Sequence, residues 1–297
     1  MTAERYAAAT DLVERYAAAF SSAVPDHPED DGFYGPGSVT WRLAADLSAP
    51  VAGLRSVLMQ ALHPLAMAGV DQHSDWRTDP VGRLAATTAY TATVTYGDRA
   101  SASRAARRVR LVHEHVRGTD NVTGRPYAAS DPALLLWVHG ALVDSVLAAS
   151  RMFGTPASDA DADRFVSEMR VAAELLGAPR EIIPASVTAL QGYIGGVRPE
   201  LRCTPAAAES MGYMLDPAGM GEEIAELWLD IKDAALAALP DWARDMYGYP
   251  PPPTVTPARR TEIRQTLGVF DTVFMAEPGV LEARQRLTVR MRSARQK

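Results

Sequence analysis

Apolar residues recur at helical spacing along most of the chain, and the breaks between runs carry Pro, Gly, Asp and Asn. Residues 4–22 are Ala-rich with good helix formers, so they read as a first helix, followed by a loop over 25–37. Ser38 supplies a cap for one helix or two short ones carrying Val39, Trp41, Leu43 and Leu47. Pro50 begins the next, with Leu54, Leu58, Ala61, Leu62 and Leu65 on one stripe, and Pro64 should kink or break it. Thr78-Asp79-Pro80 is a helix start. In the run after it, TATVTY alternates like a strand but RLAATTAY favours helix, and the reading is helix to Gly97.

Asp98 or Ser101 opens a basic helix ending at Gly118, and 121–130 reads as a loop. Asp131-Pro132 starts a mostly apolar helix through about Phe153, expected to be buried. A capped amphipathic helix follows over 156–176, then a helical segment from Pro179 and Pro184 that GYIGGVRPEL breaks. Residues 204–214 and 217–239 read as helices, with Asp216 capping the second. A rigid Tyr-Pro segment at 249–253 precedes two closing helices, 257–272 and 277–294. No repeat or long linker divides the chain. The expected fold is all-α, a single helical domain over 1–297, with its core at 33–245 and the C-terminal helices packed on it.

Composition narrows the classes. The chain has 297 residues, 47% hydrophobic and 22% charged, which suits a folded globular protein. A net charge of −6 argues against nucleic acid as a partner. Its one cysteine, Cys203, excludes an internal disulfide framework and a Cys-rich metal site. Glu4, Arg5, Asp11, Glu14 and Arg15 interrupt what would be the apolar core of a signal peptide. With no charge-free window of about 18 residues, no transmembrane segment is expected, and the expected compartment is the cytoplasm.

Nucleotide-binding, zinc-protease and hydrolase motifs are absent. The chemistry therefore rests on histidines: five of six lie between His63 and His139. His113 falls among Val109, Val112 and Val116 on the inward side of the basic helix, away from Arg104, Arg107, Arg108 and Arg110. It is either a core histidine bonded to a carbonyl or a ligand to a metal or haem. His115 reads as a solvated rim residue. On the preceding helix Arg83, Thr87, Tyr90 and Val94 stack on one side. An inward Arg83 requires an anion, a polarised ligand or a carboxylate such as Asp79. His139, beside Trp137, is a core histidine or a pocket residue. His63, His73 and His139 could together bind a metal, though none has H-x-x-x-H spacing to another.

Five segments in order, GPGSVTWRL, LMQALHPLAMAGVDQHS, DPVGRLAATTAYT, RRVRLVHEHVRG and YAASDPALLLWVHGAL, resemble the catalytic domain shared by latex-clearing proteins (rubber oxygenases) and the fungal MpaB oxygenases. The resemblance covers about 33–245 and is closest to the short intracellular members. It implies a globin-like core binding haem b, with O2 as co-substrate. Arg83 and Thr87 match the Arg and Thr of the family's distal Arg-x-x-Lys-Thr motif, while Ala86 stands at its Lys. The axial ligand would be His113, with His139 of the WVH segment as the rival and Tyr90 also in the cofactor site. The implied function is a haem-dependent oxygenase acting on a small, mostly apolar substrate at an alkene or activated C–H. Arg83 would meet bound oxygen or a haem propionate, Thr87 would hydrogen-bond on the distal side, and an electron donor could be a partner. The alternatives are a non-catalytic haem- or lipid-binding helical protein, and a non-haem metalloenzyme built on His63, His73 and His139.

Overall fold

In a computed structural model that describes residues 29–216, 222–249, 254–274 and 285, side-chain caps and prolines set the helix starts. Ser38 Oγ accepts from the Trp41 N–H and opens α1 (Val39–Ala44). Pro50 lies in the first turn of α2 (Ala49–Ala61), and Pro64 begins α3 (Pro64–His73), so the proline does break the long apolar run. The Asp79 carboxylate caps α4 (Pro80–Tyr96) and Asp98 caps α5 (Arg99–His115). Two short antiparallel strands follow, β1 (Arg117–Thr119) and β2 (Pro126–Ala128). Asp131 caps α6 (Pro132–Phe153), and Ser158 caps α7 (Asp159–Leu176), which ends at left-handed Gly177. Ser186 caps α8 (Val187–Val197) and Thr204 caps α9 (Pro205–Leu215). The described part ends with α10 (Glu222–Ala238), α11 (Asp241–Tyr247) and α12 (Pro257–Phe274).

The all-α expectation therefore holds, with three corrections. The TATVTY stretch is helical throughout, as read, but the loop expected over 121–130 contains β2, paired with β1. The glycines of GYIGGVRPEL do not break α8, which runs to Val197. Buried Leu190 and Ile194, together with Tyr193 packed over Gly140, offset the weak helix propensity of those glycines. Asp216 is the C-cap of α9, and the helix start expected just after it, 217–221, lies outside the described residues. Helix α11 was not anticipated from the sequence. The helices expected at 4–22 and 277–294 lie outside the described residues, as do residues 250–253 of the Tyr-Pro segment.

Helix α6 is central because both of its sides are covered. One side packs along α2 and α10, through Leu58, Met59, Leu62, Trp137, Phe153, Leu227 and Ile231. The other meets α1, α7 and α8 through Leu43, Val143, Leu147, Phe165 and Leu190. Its mean hydropathy of 1.6 and its length would suffice to cross a membrane, but 61% of that window is buried inside the fold. Its one charged side chain in the interior, Asp144, pairs with buried Arg55 at 2.7 Å. Arg55 also donates to Ser145 Oγ and the Ala238 carbonyl, which satisfies a cation otherwise too costly to bury.

The α4–α5 hairpin lies beside this core, with α4 on α1 and α5 on α7. The loop before α1 is fastened to its turn. Asp30 accepts from the Arg99 N–H, and Arg99 Nε donates to the Gly32 carbonyl. Gly32 has φ 72°, and a Cβ there would fall 2.1 Å from the Gly97 carbonyl oxygen, so only glycine allows the loop this close.

Candidate functional site

Helices α4 and α5 are joined by Gly97 and Asp98 alone, so they run antiparallel. Their facing stripes follow from helical spacing: Arg83, Thr87, Tyr90 and Val94 on α4, and Ala102, Ala106, Val109 and His113 on α5. Burial falls steadily away from the turn. Val94, Ala102 and Ala106 are buried; Tyr90, Val109 and His113 are half-buried; Arg83 and Thr87 are exposed. The hairpin is thus closed at the turn and open at the Arg83–His113 end, with Asp98, wholly buried, capping the closed end.

This stripe corrects one expectation. Val112 does not share the inward face with His113: it is 57% exposed, as is Leu111 at 48%. Val116 instead packs with Leu65, Ala68, Tyr127 and Leu134 at the β-hairpin. His113 still faces inward, through the Ala102–Ala106–Val109 stripe. His115 is exposed, its Nδ1 against the Leu111 carbonyl.

The electrostatics at the open end are unusual. Burial lowers the pKa of His113, and the positive charge of Arg83 lowers it further, so the imidazole is neutral at pH 7. Its Nδ1 is buried and has no hydrogen-bond partner. Burial likewise lowers the Arg83 pKa, although the side chain keeps open surface. The guanidinium is thus partly shielded while the residue keeps contact with solvent. Arg83 donates to Ser74 Oγ and has no carboxylate partner among the described residues. Asp79, the sequence-suggested partner, is occupied as the α4 cap. Thr87 Oγ1 donates back to the Arg83 carbonyl at 3.0 Å, which leaves the hydroxyl its acceptor capacity. Deeper in, the Tyr90 hydroxyl is buried without a partner, and burial raises its pKa to about 12 against the opposing charge of Arg110.

His139 lies apart from this pair on α6, between Leu135 and Val143 on the side toward α7. It is 9% exposed, makes no hydrogen bond to the described residues, and burial pulls its pKa down to about 4. His63 occupies the N-cap of α3 with its Nδ1 buried and unpartnered, its ring 6.1 Å from Trp137. His73 ends α3 and meets Tyr127 Oη at 3.1 Å. Among the described residues, no group of three His, Cys, Asp or Glu side chains is gathered to hold a metal ion. The three-histidine site is therefore a correction: these residues occupy different neighbourhoods. A haem iron needs no such cluster, since a single imidazole suffices as the protein ligand.

Sequence reasoning missed Tyr34, whose hydroxyl is also buried and unpartnered and whose ring packs against the Trp41–Tyr96 cluster. No pattern in FYGPGS marks it, because a loop aromatic acquires its neighbours only from the fold.

A family model described as "ER-bound oxygenase mpaB/B'/Rubber oxygenase, catalytic domain" matches residues 41–272, from α1 into α12. No curated protein and no solved structure matches the chain.

Proposed function

From the premise that the chain belongs to the mpaB/rubber oxygenase catalytic-domain family, we propose that it is a haem b-dependent oxygenase of a small, mostly apolar substrate. The observation that carries the haem reading is the His113–Arg83 pair: a neutral imidazole with a buried, unpartnered nitrogen, opposite a guanidinium with no carboxylate partner among the described residues. A porphyrin dicarboxylate supplies both missing partners, a metal for the imidazole and an anion for the guanidinium. His113 would hold the iron, and the α4–α5 hairpin with α6 and α7 would form a globin-like haem core. When bound, haem supplies the centre at which O2 is activated for attack on an alkene or activated C–H.

The chain's own residues do the rest. His113 keeps its imidazole unprotonated, because both burial and the Arg83 charge oppose a proton there. Arg83 binds an anionic group, a propionate or the polar end of a reactant, from the rim of the recess. Thr87 offers acceptor lone pairs one turn deeper. Val109 and Val94 keep the floor apolar and exclude water. Ala86 at the family's Lys position leaves Arg83 as the one cation on this stripe of α4. His139, isolated in an apolar setting, is the rival ligand.

The visible spectrum of freshly purified protein tests this reading. About one haem b per chain is expected. A colourless protein that haemin cannot reconstitute would remove it. Aerobic turnover of an alkene separates an oxygenase from a non-catalytic haem carrier.

A further inference from the structure

We propose that the outer face of α5 docks on an anionic lipid membrane, with Leu111 and Val112 entering the headgroup layer and arginines holding lipid phosphates around them. At about 100° per residue, Arg104, Arg107, Arg108, Leu111 and His115 share one side of the helix, with Val112 at its edge. That side is opposite the Ala102, Ala106, Val109 and His113 stripe that faces α4. No described helix covers it, and all of its residues are exposed.

Among the exposed large apolar side chains of the described residues, Leu111 and Val112 alone are neighbours in the chain. Single exposed apolar residues are ordinary on a protein surface, whereas an adjacent pair set among cations marks a contact. The charge is concentrated as well. Between 99 and 117, Arg99, Arg104, Arg107, Arg108, Arg110 and Arg117 stand against Glu114 alone, in a chain whose net charge is −6. The fold uses three of these guanidinium groups on backbone carbonyls: Arg99 on Gly32, Arg110 on Leu175 and Arg117 on Glu114. Arg107 and Arg108 have no hydrogen bond or ion pair among the described residues.

Exposed arginines need no partner in water, so charge alone names no occupant; the apolar pair does. A nucleic acid would meet the arginines but leave Leu111 and Val112 against a charged backbone, and the net charge of −6 opposes it at long range. A lipid surface satisfies both kinds of side chain. Its phosphates take the guanidinium forks, the arginine stems lie along the interface, and Leu111 and Val112 reach the acyl boundary. The apolar pair sits at the Arg83–His113 end of the hairpin, so docking presents that end to the phase in which a small apolar substrate concentrates. Only this consequence rests on the oxygenase reading; the surface itself does not. An acidic protein is the competing occupant.

Co-sedimentation of the full chain with vesicles tests this, using phosphatidylcholine alone and phosphatidylcholine with phosphatidylglycerol in equal parts, with haem content measured on the same samples. Binding to the anionic vesicles is expected to be about tenfold tighter or more, and to weaken with salt. Arg107→Gln and Arg108→Gln should each weaken it by about fivefold. Leu111→Ser combined with Val112→Ser should weaken it by about tenfold, while binding of soluble polyglutamate stays as in wild type. Arg151→Ala, which removes an exposed arginine in the last turn of α6, should bind like wild type. Equal binding to both vesicle types, no binding to either, or glutamine and serine variants that bind like wild type would overturn the proposal. Polyglutamate binding without vesicle binding would overturn it too and assign the face to an acidic protein. Haem content should be the same in every variant, so failure here leaves the haem reading standing. A haem-free chain that haemin cannot reconstitute, yet binds vesicles in this pattern, would remove the haem reading and sustain this one.

Discussion

Arg83 on α4 and His113 on α5 face each other across the hairpin, the guanidinium charge acting on the imidazole, and neither has a carboxylate partner among the described residues. A cation beside a buried imidazole suppresses protonation and leaves a lone pair free for coordination. Removing the cation should reverse this. In haem-free Arg83→Ala protein, the His113 pKa should rise toward its ordinary value, read by NMR titration of the ring protons. Burial is the larger cause and survives the substitution, so the recovery should be partial. An unchanged His113 titration would separate the two residues.

His113→Ala should abolish haem retention while the helical circular dichroism persists, because the substitution removes the protein ligand and leaves the Ala102–Ala106 packing intact. His139→Ala should retain haem. Haem content after gel filtration decides, and the reverse result would assign the ligand to α6.

Arg83→Ala and Thr87→Ala should differ in size. Losing a charged donor in a recess typically costs about 10²–10³ in rate. Thr87 Oγ1 is already committed to the Arg83 carbonyl, so its loss should cost less than Arg83's, with stability within about 0.5 kcal/mol of wild type. Haem content and turnover on the same preparations separate a binding role from a rate role.

Acid should weaken the fold partly through His139. Its folded pKa of about 4 lies below the unfolded value of about 6.5, so the unfolded chain binds more protons between them. The contribution is full above pH 6.5 and lost as pH falls toward 4, on the order of 3 kcal/mol in all. Denaturant unfolding at pH 7.5 and 5 should show a smaller acid loss in His139→Leu than in wild type. Identical pH slopes would mean the imidazole is not buried neutral.

Arg55→Ala should be among the most damaging single changes. It leaves the part-buried Asp144 with Gln191 but without its cation, and takes a donor from the Ser145 hydroxyl and the Ala238 carbonyl. The expected cost is about 3–5 kcal/mol, measured by urea denaturation. Arg55→Met with Asp144→Leu should recover much of it, since an apolar pair removes both charges.

Much of the fold was legible because its signals are local. Asp79-Pro80, Asp98 and Asp131-Pro132 mark helix starts by chemistry that acts within three residues, and α4, α5 and α6 begin there. The continuous apolar run of α6 announced burial on both sides. What local signals missed depends on distant partners. The β-hairpin is held against α3 through Tyr127, which bonds Gln72 and His73, and α8 survives its glycines because Tyr193 finds Gly140 on α6.

The sequence by itself determined the helical class, the family through the ordered motifs, and the stripes that carry Arg83, Thr87, Tyr90 and His113. Helical periodicity fixes which residues share a face, whatever that face meets. Only the tertiary structure decided what each stripe meets. It set Arg83 opposite His113 with no carboxylate partner for either among the described residues, and it kept His63, His73 and His139 apart. Those relations arise from packing between segments far apart in the chain, where burial and the field of neighbouring charges depend on the whole fold.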